Sequence, residues 1–290
     1  MNRVKLLDGY TLMHEHMTID LTPGDLGTTS FALLCRDLKM VYDHGVRNIV
    51  DLTNQSMGRN PEYVKRLMDT TGINIILSTG YYLERYLGES VAGRSVSELT
   101  EQAMDDLTYG IGDTDYCAGV IGEIAWSHEG PFEMEKTAWQ AMSAAALRTG
   151  AVVSTHPSRG IQQIPQAEYL IGRGIKPDKI VIGHIEFYPN DDSLKKLLKK
   201  GVYIGLDMVG KLGKERDEYR ADTVRKVKDW GCLSQLVLSL DLCRKEDLRA
   251  AGSYGYVYLF DTFIPMLMER GITGEEIDLM LKENPARIFA

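Results

Sequence analysis

Two histidines one residue apart, His14 and His16 in the segment GYTLMHEHMTID, are the first residues in this chain whose type and spacing suggest chemistry. On a β-strand, residues two apart share a face, so the two imidazoles point the same way and Glu15 points the other. Imidazole nitrogen is a good donor to zinc, iron, nickel and similar ions, and a pair about 6 to 7 Å apart along a strand can converge on one cation. His-x-His alone also fits a half-exposed polar strand, so the reading depends on which other donors the fold brings to the same place.

Four more donors close short apolar runs: Glu123 in GVIGEIAWS, His156 in VVSTHPS, His184 in IVIGHIE and Asp241 in LVLSLDLC. Gathered at one edge of a sheet, six such groups would each be desolvated without a partner unless an ion sat among them. Four imidazoles and two carboxylates suit two borderline divalent cations, zinc first, with Mn2+, Co2+, Fe2+ or Ni2+ admitted by the same donors. Cys35, Cys117, Cys232 and Cys243 are scattered without a C-x-x-C spacing, so nitrogen and oxygen must hold any metal.

What has to position these residues is a repeating unit. An amphipathic helical stretch, a glycine able to end it in the left-handed conformation and a β-branched run recur around Gly45, Gly72, Gly150, Gly174, Gly201 and Gly231. With the first strand and YCAGVIGEIA, this makes eight strand candidates, each followed by a helical one. The runs IVIGHI and VVSTH are apolar on both faces, as parallel strands under helices should be. The pattern predicts an α/β fold, a (β/α)8 TIM barrel forming one domain over residues 1–290, with reacting groups at the carboxyl ends of the strands. An open doubly wound sheet would carry a Gly-rich loop after its first strand, where this chain has HEHMTIDL.

Other polar and aromatic residues read more plainly. His44, before Gly45, is expected to be structural at a helix end. His128, in the loop WSHEGPF, lies on the catalytic side and is a candidate substrate contact. In SYGYVYLFDTF, Gly255 permits close backbone approach, and the tyrosines suit either a pocket wall or helix-side packing. LKKLLKK, residues 194–200, reads as a solvated helix face with its leucines turned inward.

Composition excludes several classes. The chain has 290 residues, 44% hydrophobic and 26% charged, with a net charge of −8, so neither nucleic acid nor an anionic membrane is an expected partner. No signal-peptide core and no apolar run of membrane length is evident, and the expected location is the cytoplasm.

The ordered set GYTLMHEH, GVRNIVDLTN, MGRN, TGINII, TGYY, STHPS, GYGY and ENPARIF resembles the phosphotriesterase-related group of the amidohydrolase superfamily across essentially the whole chain. That resemblance implies that His14, His16 and Asp241 hold the more buried ion, that His156 and His184 hold the more exposed one, and that Glu123 bridges them. Many relatives have a carboxylated lysine at the bridging position; a glutamate offers two anionic oxygens without carbon dioxide. Lactonase-like members have an arginine after the aspartate that ends strand seven, where this chain has Met208, which argues against quorum-sensing lactones. Tyr82 matches a tyrosine kept near the bridging water, and Arg244 lies on a loop where relatives contact substrate. Relatives are often dimers, so a homodimer is admitted.

The expected activity is metal-dependent hydrolysis of a small phosphoester, lactone or carboxylic ester, with a metal-bridging hydroxide as nucleophile and Asp241 as general base. The same centre would also serve an amidase or deaminase. An alternative from another class is a non-catalytic barrel that its ions stabilise and that binds a small ligand.

Overall fold

The computed structural model describes residues 4–18, 28–158, 161–188 and 190–290. Eight strands form one parallel sheet in sequential order: β1 (Tyr10–Glu15), β2 (Val46–Asp51), β3 (Asn74–Thr79), β4 (Ala118–Trp126), β5 (Val152–Pro157), β6 (Ile180–Ile182), β7 (Tyr203–Leu206) and β8 (Leu236–Leu238). Helices such as Thr28–Asp43, Pro61–Thr71 and Glu133–Thr149 connect them. The six glycines expected to end helical segments all have positive φ, from 72° to 94°, a conformation that costs glycine little. Along Asp191–Leu198, the leucines Leu194, Leu197 and Leu198 are buried while Lys195 and Lys196 are exposed.

The alternation of each strand divides the core in two. One face, with Leu12, Ile49, Val153, Ile204 and Leu236, joins the large cluster shared with the helices. The other supplies one residue per strand to a smaller cluster: Met13, Val50, Ile76, Val120, Val152, Val181, Tyr203 and Val237. That cluster fills the barrel interior, and Ile288 and Phe289 pack onto it with Val4 and Leu6.

The ring closes between β8 and β1 through specific polar contacts. Asp241 N donates to His14 O at 3.1 Å, and His14 N donates to Ser239 Oγ at 3.0 Å. The fully buried Glu15 carboxylate accepts from Ser239 Oγ, Leu240 N and Leu242 N at 2.7 to 2.8 Å. Glu15 therefore does point away from the imidazoles, and it ties the first strand to the last.

Of the register shifts in the sheet, two lie beside the candidate site. Leu12 and Glu15 pair with Ile49 and Asp51, and Ile121 and Ile124 pair with Val153 and Thr155, so β1 and β4 each bulge by one residue. A bulge re-aims side chains, and these two lie at His14 and at Glu123. Strand limits differ from the sequence reading. β1 stops at Glu15, before His16; β4 continues to Trp126 and β5 to Pro157; β6 and β8 stop short, leaving His184 two residues and Asp241 three residues beyond the strand. Both adopt left-handed backbone, φ 50° and 51°, which among the described residues only Leu212 shares outside glycine. Such conformations cost about 1 kcal/mol or more in a non-glycine residue and persist where surrounding contacts enforce them. No helix among the described residues is long and apolar enough to cross a membrane.

Candidate metal centre

The carboxylate of Glu123, delivered by the β4 bulge, is the hub on which four imidazoles converge. His156 Nδ1 lies 2.8 Å from Oε2, His14 Nε2 3.3 Å, His184 Nε2 3.7 Å, and His16 Nε2 lies 3.6 Å from Oε1. Asp241 Oδ1 is 3.2 Å from His16 Nε2 and 3.8 Å from His14 Nε2. The six residues expected from sequence are thus brought together, and all but His156 are buried.

Three of the four rings are held from behind. His16 Nδ1 meets Thr53 Oγ1 at 3.0 Å. Asp207, at the end of β7, accepts from two rings: Oδ2 lies 2.9 Å from His14 Nδ1 and Oδ1 2.7 Å from His184 Nδ1. The backbone N–H of His184 also donates to this carboxylate. On the far side of Asp241, Oδ2 pairs with the Lys211 ammonium, which also reaches Cys243 Sγ at 3.5 Å. Sequence reasoning did not select Asp207 or Lys211. Asp207 closes the apolar run VYIGL in the manner of the selected donors, whereas Lys211 sits in a loop with no periodic signal.

The electrostatics follow from burial and charge. Burial disfavours the ionised carboxyl of Glu123, but the His156 and His14 rings outweigh it and hold the group well below its ordinary range. Burial likewise opposes the His14 imidazolium, while Asp207 and Glu123 overcome that and hold its pKa well above the ordinary value. Burial holds His156 below its ordinary value. For Asp241, burial is outweighed by Lys211, and the carboxyl stays strongly acidic.

The donor set fits divalent ions. His14 Nε2 is buried and has no hydrogen-bond partner, an arrangement that costs about 1–3 kcal/mol if nothing satisfies it. Three groups, His14–His16–Glu123, Glu123–His156–His184 and His14–His184–Asp207, each place three donor atoms within 4.8 Å of one another, and the first two share Glu123.

The remaining expected residues lie in different places. Tyr82 is buried, its hydroxyl 3.3 Å from His156 Nε2. Arg244 is exposed and lines a cavity of about 300 Å3 with Met208, Lys211, Cys243 and Tyr254. His128, also exposed, lines a separate cavity with Arg85, Phe132 and Ser158. His44 lies outside the cluster, stacked on Phe260 and 3.4 Å from Asp261 Oδ1. Gly255 does make a close approach, since a Cβ there would lie 2.5 Å from Asp37 Oδ2. Of the neighbouring tyrosines, Tyr254 faces the cavity, Tyr256 is fully buried and Tyr258 donates to Asp217.

The profile described as Phosphotriesterase family matches residues 4–289. The phosphotriesterase homology protein of Escherichia coli strain K12 is 36% identical over 97% of this chain and 98% of its own length. Its crystal structure, with phosphate in the active site, superposes with a TM-score of 0.91, covering 97% of this chain and 99% of that one. An aryldialkylphosphatase of Saccharolobus solfataricus is 29% identical over 97% of this chain and 93% of its own length. An N-acetyltaurine hydrolase of Dictyostelium discoideum is 27% identical over 91% and 75%.

Proposed function

The chain belongs to the phosphotriesterase family, an ester-hydrolysing, metal-dependent family, and from that premise we propose that it is a hydrolase with two divalent ions at the barrel rim. One observation carries the reading: four imidazoles drawn from three strand ends lie within 3.7 Å of a single carboxylate, Glu123. In this proposal His14, His16 and Asp241 hold one ion, His156 and His184 hold the other, and Glu123 is shared. Two such ions, zinc first among the candidates, supply an acidified water as nucleophile at neutral pH and Lewis-acid polarisation of the ester oxygen.

The chain's own groups perform the rest. Asp241 turns Oδ1 towards the imidazoles and pairs Oδ2 with Lys211; as an ionised carboxylate within the cluster it is the proposed acceptor for the proton of the attacking water. Burial, reinforced by Glu123 and Asp241, pushes the Tyr82 hydroxyl well above its ordinary pKa, so it remains a phenol able to donate a hydrogen bond to the substrate at His156. Met208, Lys211 and Arg244 wall the adjoining cavity, which suits a small ester. The aryldialkylphosphatase relative favours phosphoesters, and the N-acetyltaurine hydrolase relative favours an amide as the second reading.

Reloading stripped protein with Zn2+, counting ions and screening phosphotriesters, lactones, carboxylic esters and amides tests the proposal. Two ions per chain with chelator-sensitive ester turnover is the expected result. Turnover of amides alone would select the second reading, and two ions without any hydrolysis would select a binding barrel.

A further inference from the structure

Asp207 is buried and lies outside both ligand sets proposed above, yet it touches one histidine from each and forms a third group of possible donors with them. The space it occupies is kept open by the strands around it. A Cβ on Gly205 would lie 2.7 Å from Asp207 Oδ2, and one on Gly183 would lie 3.1 Å from the same atom. Two neighbouring strand ends therefore forgo side chains where this carboxylate passes between His14 and His184.

We propose that Asp207 is the shared positioning residue of both ion sites, fixing His14 and His184 as Nδ1–H tautomers so that each turns its Nε2 towards Glu123. The inference rests on the two-ion reading above. A carboxylate has two acceptor oxygens and no proton, so it can receive an N–H from both rings at once. Each ring thereby leaves Nε2 unprotonated as a metal donor. The Nδ1–O distances of 2.7 and 2.9 Å are those of charge-assisted hydrogen bonds.

The two oxygens are not equivalent, and that asymmetry makes the proposal testable. Oδ1 receives both the ring and, at 3.0 Å, the backbone N–H of His184, whereas Oδ2 serves the His14 ring and lies farther, 3.2 Å, from that N–H. In Asp207→Asn the amide oxygen takes the Oδ1 place, where two donors converge, and the NH2 faces His14. His14 must then accept at Nδ1 and carry its proton on Nε2, which removes it as a donor to the ion. In Asp207→Ala neither ring is held.

Stripped wild-type, D207N and D207A proteins, checked for native circular dichroism, are titrated with Zn2+ against a competing chelator. Wild type is expected to bind two ions. D207N should lose about 10- to 100-fold in affinity for one ion and keep the other, and D207A should weaken both by a comparable factor. Two ions bound by D207N with wild-type affinity would overturn the proposal. So would a third ion in wild type that D207N abolishes, since Asp207 would then be a ligand. Ring-nitrogen NMR of ion-free wild type and D207N, recorded at alkaline pH where the rings are neutral, separates the two hypotheses. Transfer of the His14 proton from Nδ1 to Nε2 in D207N supports the positioning role even if wild type binds fewer than two ions, a result that would defeat only the two-ion reading. An unchanged tautomer overturns the role, and because D207N is nearly isosteric the result does not depend on D207A folding.

Discussion

Asp241 shows how much a single residue is asked to do. Its backbone N–H closes the ring onto His14, one carboxylate oxygen faces the imidazoles, the other holds Lys211, and its φ of 51° keeps the side chain turned inward. An amide in its place retains an oxygen for the ion but cannot take up a proton. Asp241→Asn should therefore keep most of its metal while turnover falls by about 10^2- to 10^4-fold, measured as kcat on a substrate found by the screen. A wild-type rate in a fully loaded variant would remove the proton-transfer role. At this scale the sequence was most informative, because donors that end apolar runs stand out. Asp207 met the same criterion in VYIGLD, but nothing in the linear order reveals that two glycines on neighbouring strands leave room for its carboxylate. Lys211 reaches Asp241 only through the path of its loop, where Arg220 donates to its carbonyl oxygen and Asp217 accepts from Gly210 N.

Among elements, the bulges on β1 and β4 decide which way the site residues face. Strict alternation would place Met13 and His14 on opposite sides of the sheet. The extra residue in β1 lets Met13 fill the barrel interior while His14 meets Glu123 and Asp207. In β4 the apolar run GVIGEIAW hides the irregularity, and its one visible mark is Gly122. That residue has φ 148°, and a Cβ on it would lie 2.6 Å from Ser154 O of β5. Gly122→Ala should force β4 away from β5, lower stability by about 2 kcal/mol or more and reduce metal uptake together with it. Denaturant unfolding with parallel metal analysis checks this. Unaltered stability and uptake would mean that the close approach is not required. The strand and helix order, by contrast, was readable, because each of six units ends its helix on a glycine whose left-handed backbone the fold uses.

For the molecule as a whole, the eight-unit plan and the family follow from the ordered motifs. The joint between β8 and β1 does not, since it depends on a buried Glu15 reaching Ser239, Leu240 and Leu242 across more than two hundred residues. A rim where buried acids and imidazoles crowd together couples metal loading to global stability, because ions that bind only the folded chain add RT ln(1 + [L]/Kd), about 4 kcal/mol per site at a thousandfold excess over Kd. Metal-loaded protein should melt several degrees above stripped protein. The gap should widen as pH rises. Ion-free His14, with a pKa held above its ordinary 6.5, stabilises the stripped fold below that pH and loses this contribution as pH climbs through the raised value. Over the same range the proton stops competing with the ion for Nε2. Paired melting curves across neutral pH would show this, and a gap that narrows with rising pH would reverse the assignment.

Every role proposed for these residues depends on two ions sharing Glu123, and anomalous diffraction at the zinc edge from Zn2+-loaded crystals addresses that directly. Two peaks per chain are expected, one among His14, His16 and Asp241 and one between His156 and His184, with the Glu123 carboxylate touching both. A single peak, or peaks that Glu123 does not contact, would contradict it.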